Sequence, residues 1–208
     1  MTENQSGSLI CQLAIIAHPR FNETDTAWLE AIRRQYDPQA VLIPAHLTLM
    51  FPVVAPVALL LAQANRCAAE NKGFDIRITQ VQAHRDAKDG WSYIFALPAI
   101  GSEQITALHD NLYSDEFRIY MRHDLTYQPH ITIAKRADYS DCARLASSLN
   151  RRGINILGRI DSIRVVSIEP AAIAPVAEFD MGCAAVGNLN DSSSLGSRMT
   201  ERNPTEEI

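Results

Sequence analysis

Two imidazoles and two hydroxyls recur in one short pattern at two places in the chain. Residues 44–51 read Pro44-Ala45-His46-Leu47-Thr48-Leu49-Met50-Phe51, and residues 128–135 read Gln128-Pro129-His130-Ile131-Thr132-Ile133-Ala134-Lys135. Side chains of a β-strand alternate between faces, so His46 and Thr48 share one face while Leu47 and Leu49 enter a core. His130, Thr132, Ile131 and Ile133 repeat that division. With six His and ten Thr in 208 residues, chance supplies about 0.3 His-x-Thr triplets before any demand on flanking residues. A single histidine beside aliphatic residues reads first as a satisfied core or rim residue. Two, each with a threonine on the same face, read as a site.

An imidazole has an ordinary pKa near 6.5, so two of them facing each other across a phosphate can divide general acid and general base work at neutral pH. One activates an attacking oxygen and the other protonates a leaving oxygen; the motifs alone do not say which does which. Each threonine hydroxyl can donate to a non-bridging phosphate oxygen as charge builds there. That design requires neither metal nor cofactor. A metal site is the competing reading of paired histidines, but the motifs offer no His-x-His, no nearby carboxylate and no His-x-x-Glu.

The two segments resemble the signature motifs of the 2H phosphoesterase superfamily, in particular the group named 2′-5′ RNA ligase or RNA 2′,3′-cyclic phosphodiesterase. The resemblance covers residues 9–181. It implies a bilobal α+β fold, two β-sheet lobes with outer helices around a pseudo-twofold cleft. It also implies metal-independent opening of a 2′,3′-cyclic phosphate, on an RNA end or a small nucleotide, to a 2′-phosphate. By analogy His46 protonates the departing 3′ oxygen, His130 activates water, and Thr48 and Thr132 hold the phosphate. Family members often carry a basic residue just after the second motif, matched by Lys135 with Arg136 beside it. Strand parity puts Arg136, not Lys135, on the His130 face unless the strand ends or bulges there. Met50 stands where some relatives have a polar or basic residue, which points to a short substrate rather than a long RNA strand. Lys88-Asp89-Gly90 lacks the spacer of the Lys-x-Asp-Gly motif of adenylylating ligases, so any ligation would draw on the cyclic phosphate itself.

Tyr127, Trp91, Tyr93 and Phe51 are candidates to stack a base, a contact worth about 1–3 kcal/mol. Tyr127 is the favoured one; Phe51 and Tyr93 read first as core. His18 ends the first strand, as a turn residue or a neighbour of the site, while His84, His109 and His123 read as surface. Two other readings stand beside the enzyme. One is an RNA-end or nucleotide-binding protein without turnover, which would not need two titratable groups. The other is the same fold acting on 2′-5′ oligoadenylate or a cyclic ADP-ribose phosphate.

The rest of the chain must supply two lobes to carry these strands. Hydrophobic residues at 47% and charged residues at 21% suit a globular protein. A net charge of −5 argues against broad adhesion to nucleic acid or an anionic membrane, but not against a small basic pocket. Cys11, Cys67, Cys142 and Cys183 are widely spaced, which predicts reduced thiols rather than a disulfide framework or zinc ribbon. The polar N-terminus fails as a secretory signal, so the expectation is a cytoplasmic, monomeric protein without membrane attachment. No formal charge falls between Asp37 and Arg66, yet Pro44, Pro52 and Pro56 divide that stretch into a buried strand and an apolar helix.

In order, the pattern predicts a strand over 9–17 and a helix over 21–36 with Asn22 or Thr24 as cap. The first motif strand over 46–54 leads to a helix over 57–71 entered at Pro56 and closed by Gly73. A half-buried strand over 74–81 places Phe74, Ile76, Ile78 and Gln80 on one face. It turns at Asp89-Gly90 into a strand over 91–97, ended by Pro98 and Gly101. A helix capped by Ser102 follows. The second motif strand leads to a helix over 139–150, then strands within 154–168 and over 176–181. Residues 1–8 read as a flexible start, 9–182 as one bilobal domain, and 183–208 as a disordered polar tail.

Overall fold

The two motif strands touch at a single residue pair. In the computed structural model, which describes residues 10–182, Leu47 pairs with Ile131 in antiparallel register. The elements are β1 Ile10–Ala17, β2 Arg20–Phe21, α1 Glu23–Tyr36, β3 Leu47–Pro56, α2 Val57–Glu70, β4 Phe74–Arg85, β5 Ser92–Ile100, α3 Ser102–Leu112, β6 Ile131–Arg136, α4 Tyr139–Asn150, β7 Ile156–Ile160, β8 Ser162–Glu169 and β9 Ala172–Asp180. Short 3₁₀ turns occupy Pro38–Val41 and Asp115–Tyr120. The strands form one antiparallel sheet in the order β2-β7-β4-β5-β6-β3-β1-β8-β9. The expected lobes are thus the two halves of one sheet, joined at a waist that falls beside both motif histidines. Each half follows the same plan: a motif strand, a long antiparallel neighbour (β1 or β5), and a helix leaving the motif strand's far end.

The aliphatic residues of the motifs hold this waist in place. Leu47, Leu49 and Ile133 are fully buried and Ile131 nearly so, packed in one core with Leu29, Leu60, Ile105, Leu108, Cys142 and Leu149 of the helices. Each such side chain contributes about 1.5–3 kcal/mol of burial free energy. The helices therefore cover one face of the sheet, and the threonines are left on the other.

Both motif strands bulge just after the threonine. Ile16 pairs with Thr48 and Ile15 with Met50, so Leu49 is the extra residue and Leu49 and Met50 both turn inward with no exposed surface. In the second motif Phe95 pairs with Thr132 and Ile94 with Ala134, and Ile133 and Ala134 are both fully buried. A bulge resets strand parity. Phe51 and Lys135 therefore return to the threonine face, and Arg136 goes to the other, the reverse of unbroken alternation. Met50 is a core residue, so its apolar character reflects packing and carries no information about substrate length.

A further bulge, between Ile78 and Gln80, moves the inward position of β4 from Gln80 to Val81. It lets β5 run through Pro98, opposite Ile78, where a missing N–H is tolerated. Gly101, at φ 87°, not Ser102, precedes α3. A Cβ there would lie 2.6 Å from Ile76 Cγ2, so only glycine fits this turn. Asn22 caps α1 by accepting from the Asp25 N–H at 2.8 Å. Asn71 rather than Gly73 follows the last turn of α2, and Pro56 is its N-cap. Cys67 and Cys142 are free and buried. No helix among the described residues is long and apolar enough to cross a membrane. The expected flexible start at 1–8 and polar tail at 183–208 lie outside the described residues.

Candidate active site

The single Leu47–Ile131 pair fixes how the four motif side chains are arranged. Continuing its antiparallel register by one residue either way sets His46 against Thr132 and Thr48 against His130. By that register, extended past the one pair the ladder holds, the four mark the corners of a quadrilateral on the helix-free face, with the two histidines on one diagonal and the two threonines on the other. Diagonal neighbours in an antiparallel pair lie about 7–8 Å apart at the backbone, wide enough to admit a phosphate between the rings. A group held between the rings would have an imidazole on each of two opposite sides, an arrangement that can serve an in-line displacement at phosphorus.

The two rings are held alike. His46 Nδ1 lies 2.9 Å from the Pro44 carbonyl oxygen and His130 Nδ1 lies 2.7 Å from that of Gln128. A carbonyl only accepts, so Nδ1 carries the proton in each ring and Nε2 is the nitrogen left to exchange protons. Desolvation by burial outweighs that hydrogen bond and pushes both imidazoles down to about 4. Both rings are therefore neutral at pH 7 in the free protein.

Around His130 the site opens into a cleft of about 750 Å³. Phe51, Tyr93, Phe95, His84, Tyr127 and Arg122 line it together with His130 and Thr132. Phe95 stacks under the His130 ring at 3.7 Å and is itself stacked by His84 at 5.1 Å. Arg122 lies over the Phe51 ring at 5.8 Å. Tyr127 lines the cleft with its hydroxyl donating to the Thr48 carbonyl at 2.9 Å. Its ring lies flat against His109, 3.7 Å away and tilted by 4°. Lys135 sits over Trp91 and Tyr93, at 5.0 Å and 5.4 Å. Arg136 points away, over Tyr36 of α1 at 4.7 Å.

Three neighbours of the site were not singled out by pattern. Phe95 is the platform under His130, and only the β5–β6 register reveals it. His84 is exposed but on the cleft face. His109 is buried, not a surface residue: it donates from Nδ1 to the Leu49 carbonyl at 2.8 Å and backs Tyr127. Its spacing from Ile105, Leu108 and Leu112 places it on the apolar face of α3, a signal present in the sequence. His18, at the end of β1, donates to the Ala45 carbonyl at 3.0 Å and meets the His46 ring edge-on at 6.0 Å.

This fold has solved counterparts. A structure of Escherichia coli LigT in complex with NADP+ superposes with a TM-score of 0.53 at 16% identity, over 84% of this chain and 100% of that one. LigT in complex with 3′-AMP gives 0.53 at 16% identity, over 83% and 99%. The protein TT0787 of Thermus thermophilus gives 0.56 at 19% identity, over 82% and 98%. In sequence the chain is 27% identical over 139 residues to the Oceanobacillus iheyensis protein named "Putative phosphoesterase OB1230", covering 65% of this chain and 78% of that one. The model of the 2′-5′ RNA ligase superfamily matches residues 21–171, both motifs included, and the chain belongs to that superfamily, the 2H phosphoesterases.

Proposed function

We propose that this protein is a metal-independent phosphodiesterase that opens 2′,3′-cyclic phosphates, on small nucleotides or RNA ends, to 2′-phosphates. The observation that carries the reading is the diagonal pair of imidazoles, each with Nδ1 occupied by a backbone carbonyl and Nε2 free, on one face with two threonines. The cyclic phosphate sits between the rings, its non-bridging oxygens accepting from the Thr48 and Thr132 hydroxyls. His130 Nε2 takes a proton from water as that oxygen attacks phosphorus. His46 Nε2, protonated once the anionic phosphate is beside it, gives its proton to O3′ as the P–O3′ bond breaks. The 2′ ester is retained, and the proton taken by His130 replaces the one His46 has lost after turnover.

The aromatic lining of Phe51, Tyr93, Phe95 and Tyr127 suits a nucleobase, with Lys135, which sits over Tyr93 and 3.9 Å from Asp89, as a cation for a further phosphate. Arg136, which faces Tyr36, is left out of substrate contact in this reading. Nucleotide binding by LigT, seen with NADP+ and 3′-AMP, is in keeping with it. A turnover panel tests the proposal: nucleoside 2′,3′-cyclic phosphates and short RNAs ending in one, against 3′,5′-cyclic phosphates, all with EDTA. The expected result is turnover of the 2′,3′-cyclic compounds alone. Nucleotide binding without turnover of any compound would favour a binding protein, and loss of activity on adding EDTA would overturn the metal-free mechanism.

A further inference from the structure

One buried charge cluster lies outside the quadrilateral and ends on the residue before His46. Arg33 of α1 has a side chain only 1% exposed. It donates from Nε and Nη2 to Asp37 Oδ2 at 3.1 Å and 3.0 Å, and from Nη1 to the Ile43 carbonyl at 2.9 Å and to Glu30 at 3.3 Å. Glu30 in turn accepts from the Ala45 N–H at 2.6 Å. The Ala45 carbonyl accepts from His18 at 3.0 Å. Both backbone groups of Ala45 are thus fixed by side chains from α1 and from the end of β1, and the Pro44 carbonyl just before it orients the His46 ring.

Burying a guanidinium and a carboxylate is costly unless each hydrogen bond is made, and an amphipathic helix does not need that cost to pack. The second motif shows what the cluster achieves. The residue before His130 is Pro129, whose ring fixes the backbone covalently and leaves no N–H to hold. Ala45 has neither restraint, and Glu30, Arg33 and His18 supply it through hydrogen bonds.

We infer that Glu30 and Arg33, with His18, are positioning residues for His46: they set the backbone at Ala45 and so aim Nε2 at the phosphate. The inference rests on His46 being catalytic. Misplacing a catalytic group by about 1 Å costs about 10²-fold in rate. Arg33→Ala would leave the buried Asp37 carboxylate and the partly buried Glu30 without their partner and is expected to fold poorly, so Glu30 is the residue to change.

The experiment compares Glu30→Ala and Glu30→Gln with wild type, using a nucleoside 2′,3′-cyclic phosphate, thermal melting and the imidazole NMR signals of His46 and His130. Glu30→Ala is expected to lower kcat by about 10- to 100-fold with KM within about twofold. The His46 signals should shift while those of His130, anchored independently, stay in place. Glu30→Gln keeps an oxygen able to accept from Ala45 N–H and should recover most of kcat. Unmoved His46 signals and unchanged kcat in Glu30→Ala, with His46→Ala inactive, would overturn the positioning role alone. Full activity in His46→Ala would overturn the functional reading on which it rests.

Discussion

Alanine at His46 or at His130 is expected to lower kcat on a nucleoside 2′,3′-cyclic phosphate by about 10²–10⁴-fold, the range for loss of a positioned acid or base. The folds of both variants should survive, because each ring makes one side-chain hydrogen bond, to a carbonyl two residues back in its own chain, and the core residues beside them are untouched. The two losses should not add. With one ring gone, proton transfer at the other end of the in-line displacement no longer proceeds in concert, so the double variant should be little slower than the slower single one. Steady-state kinetics on the three variants checks this. A single variant within tenfold of wild type would remove that histidine from the acid–base pair, and fully multiplicative losses would mean that the rings act independently.

The second large effect is on pH. In the free protein desolvation, opposed by the Pro44 carbonyl and assisted by the charges of His18, Arg33 and His130, holds His46 at about 4. Desolvation, opposed by the Gln128 carbonyl and assisted by His84, holds His130 at about 4. The reaction needs one ring protonated and the other not. Above pH 4 the singly protonated free enzyme falls by about tenfold per pH unit, and kcat/KM, which reports the free enzyme, should fall with it. Once the phosphate anion lies between the rings it favours the charged imidazole, so kcat should hold its plateau to a higher pH than kcat/KM. Rate profiles between pH 4 and 8 separate the two. A kcat/KM that is flat from pH 5 to 8 would contradict the environment described for the rings.

How far the sequence reveals this arrangement depends on whether a feature is local. The His-x-Thr pairs are legible because alternation within a strand needs no knowledge of its neighbours, and α4 spans Tyr139–Asn150 as its periodicity and the Arg151-Arg152-Gly153 run predict, with Asp138 found as its N-cap. The placement of Lys135 and Arg136 is not legible, since it turns on one extra residue in β6 relative to β5. Equally hidden is Phe95, whose place beneath His130 is a cross-strand register. Arg33 falls at helical spacing from Leu29, Ile32 and Tyr36, on the buried face of α1, but the Asp37 carboxylate and Ile43 carbonyl that satisfy it there come from the segment folding back over the helix, and no local pattern shows that. His109 differs in kind. Its period is in the sequence, and the structure follows that period rather than histidine's usual preference for partly exposed places.

Ring opening in ¹⁸O-enriched water, with EDTA present and followed by phosphorus NMR, tests the two-histidine cyclic phosphodiesterase most directly. A nucleoside 2′,3′-cyclic phosphate should yield the 2′-monophosphate alone, carrying one solvent oxygen on phosphorus, in wild type and at a strongly reduced rate in the His46 and His130 variants. A 3′-monophosphate product, or ring opening that stops when EDTA is added, would contradict it.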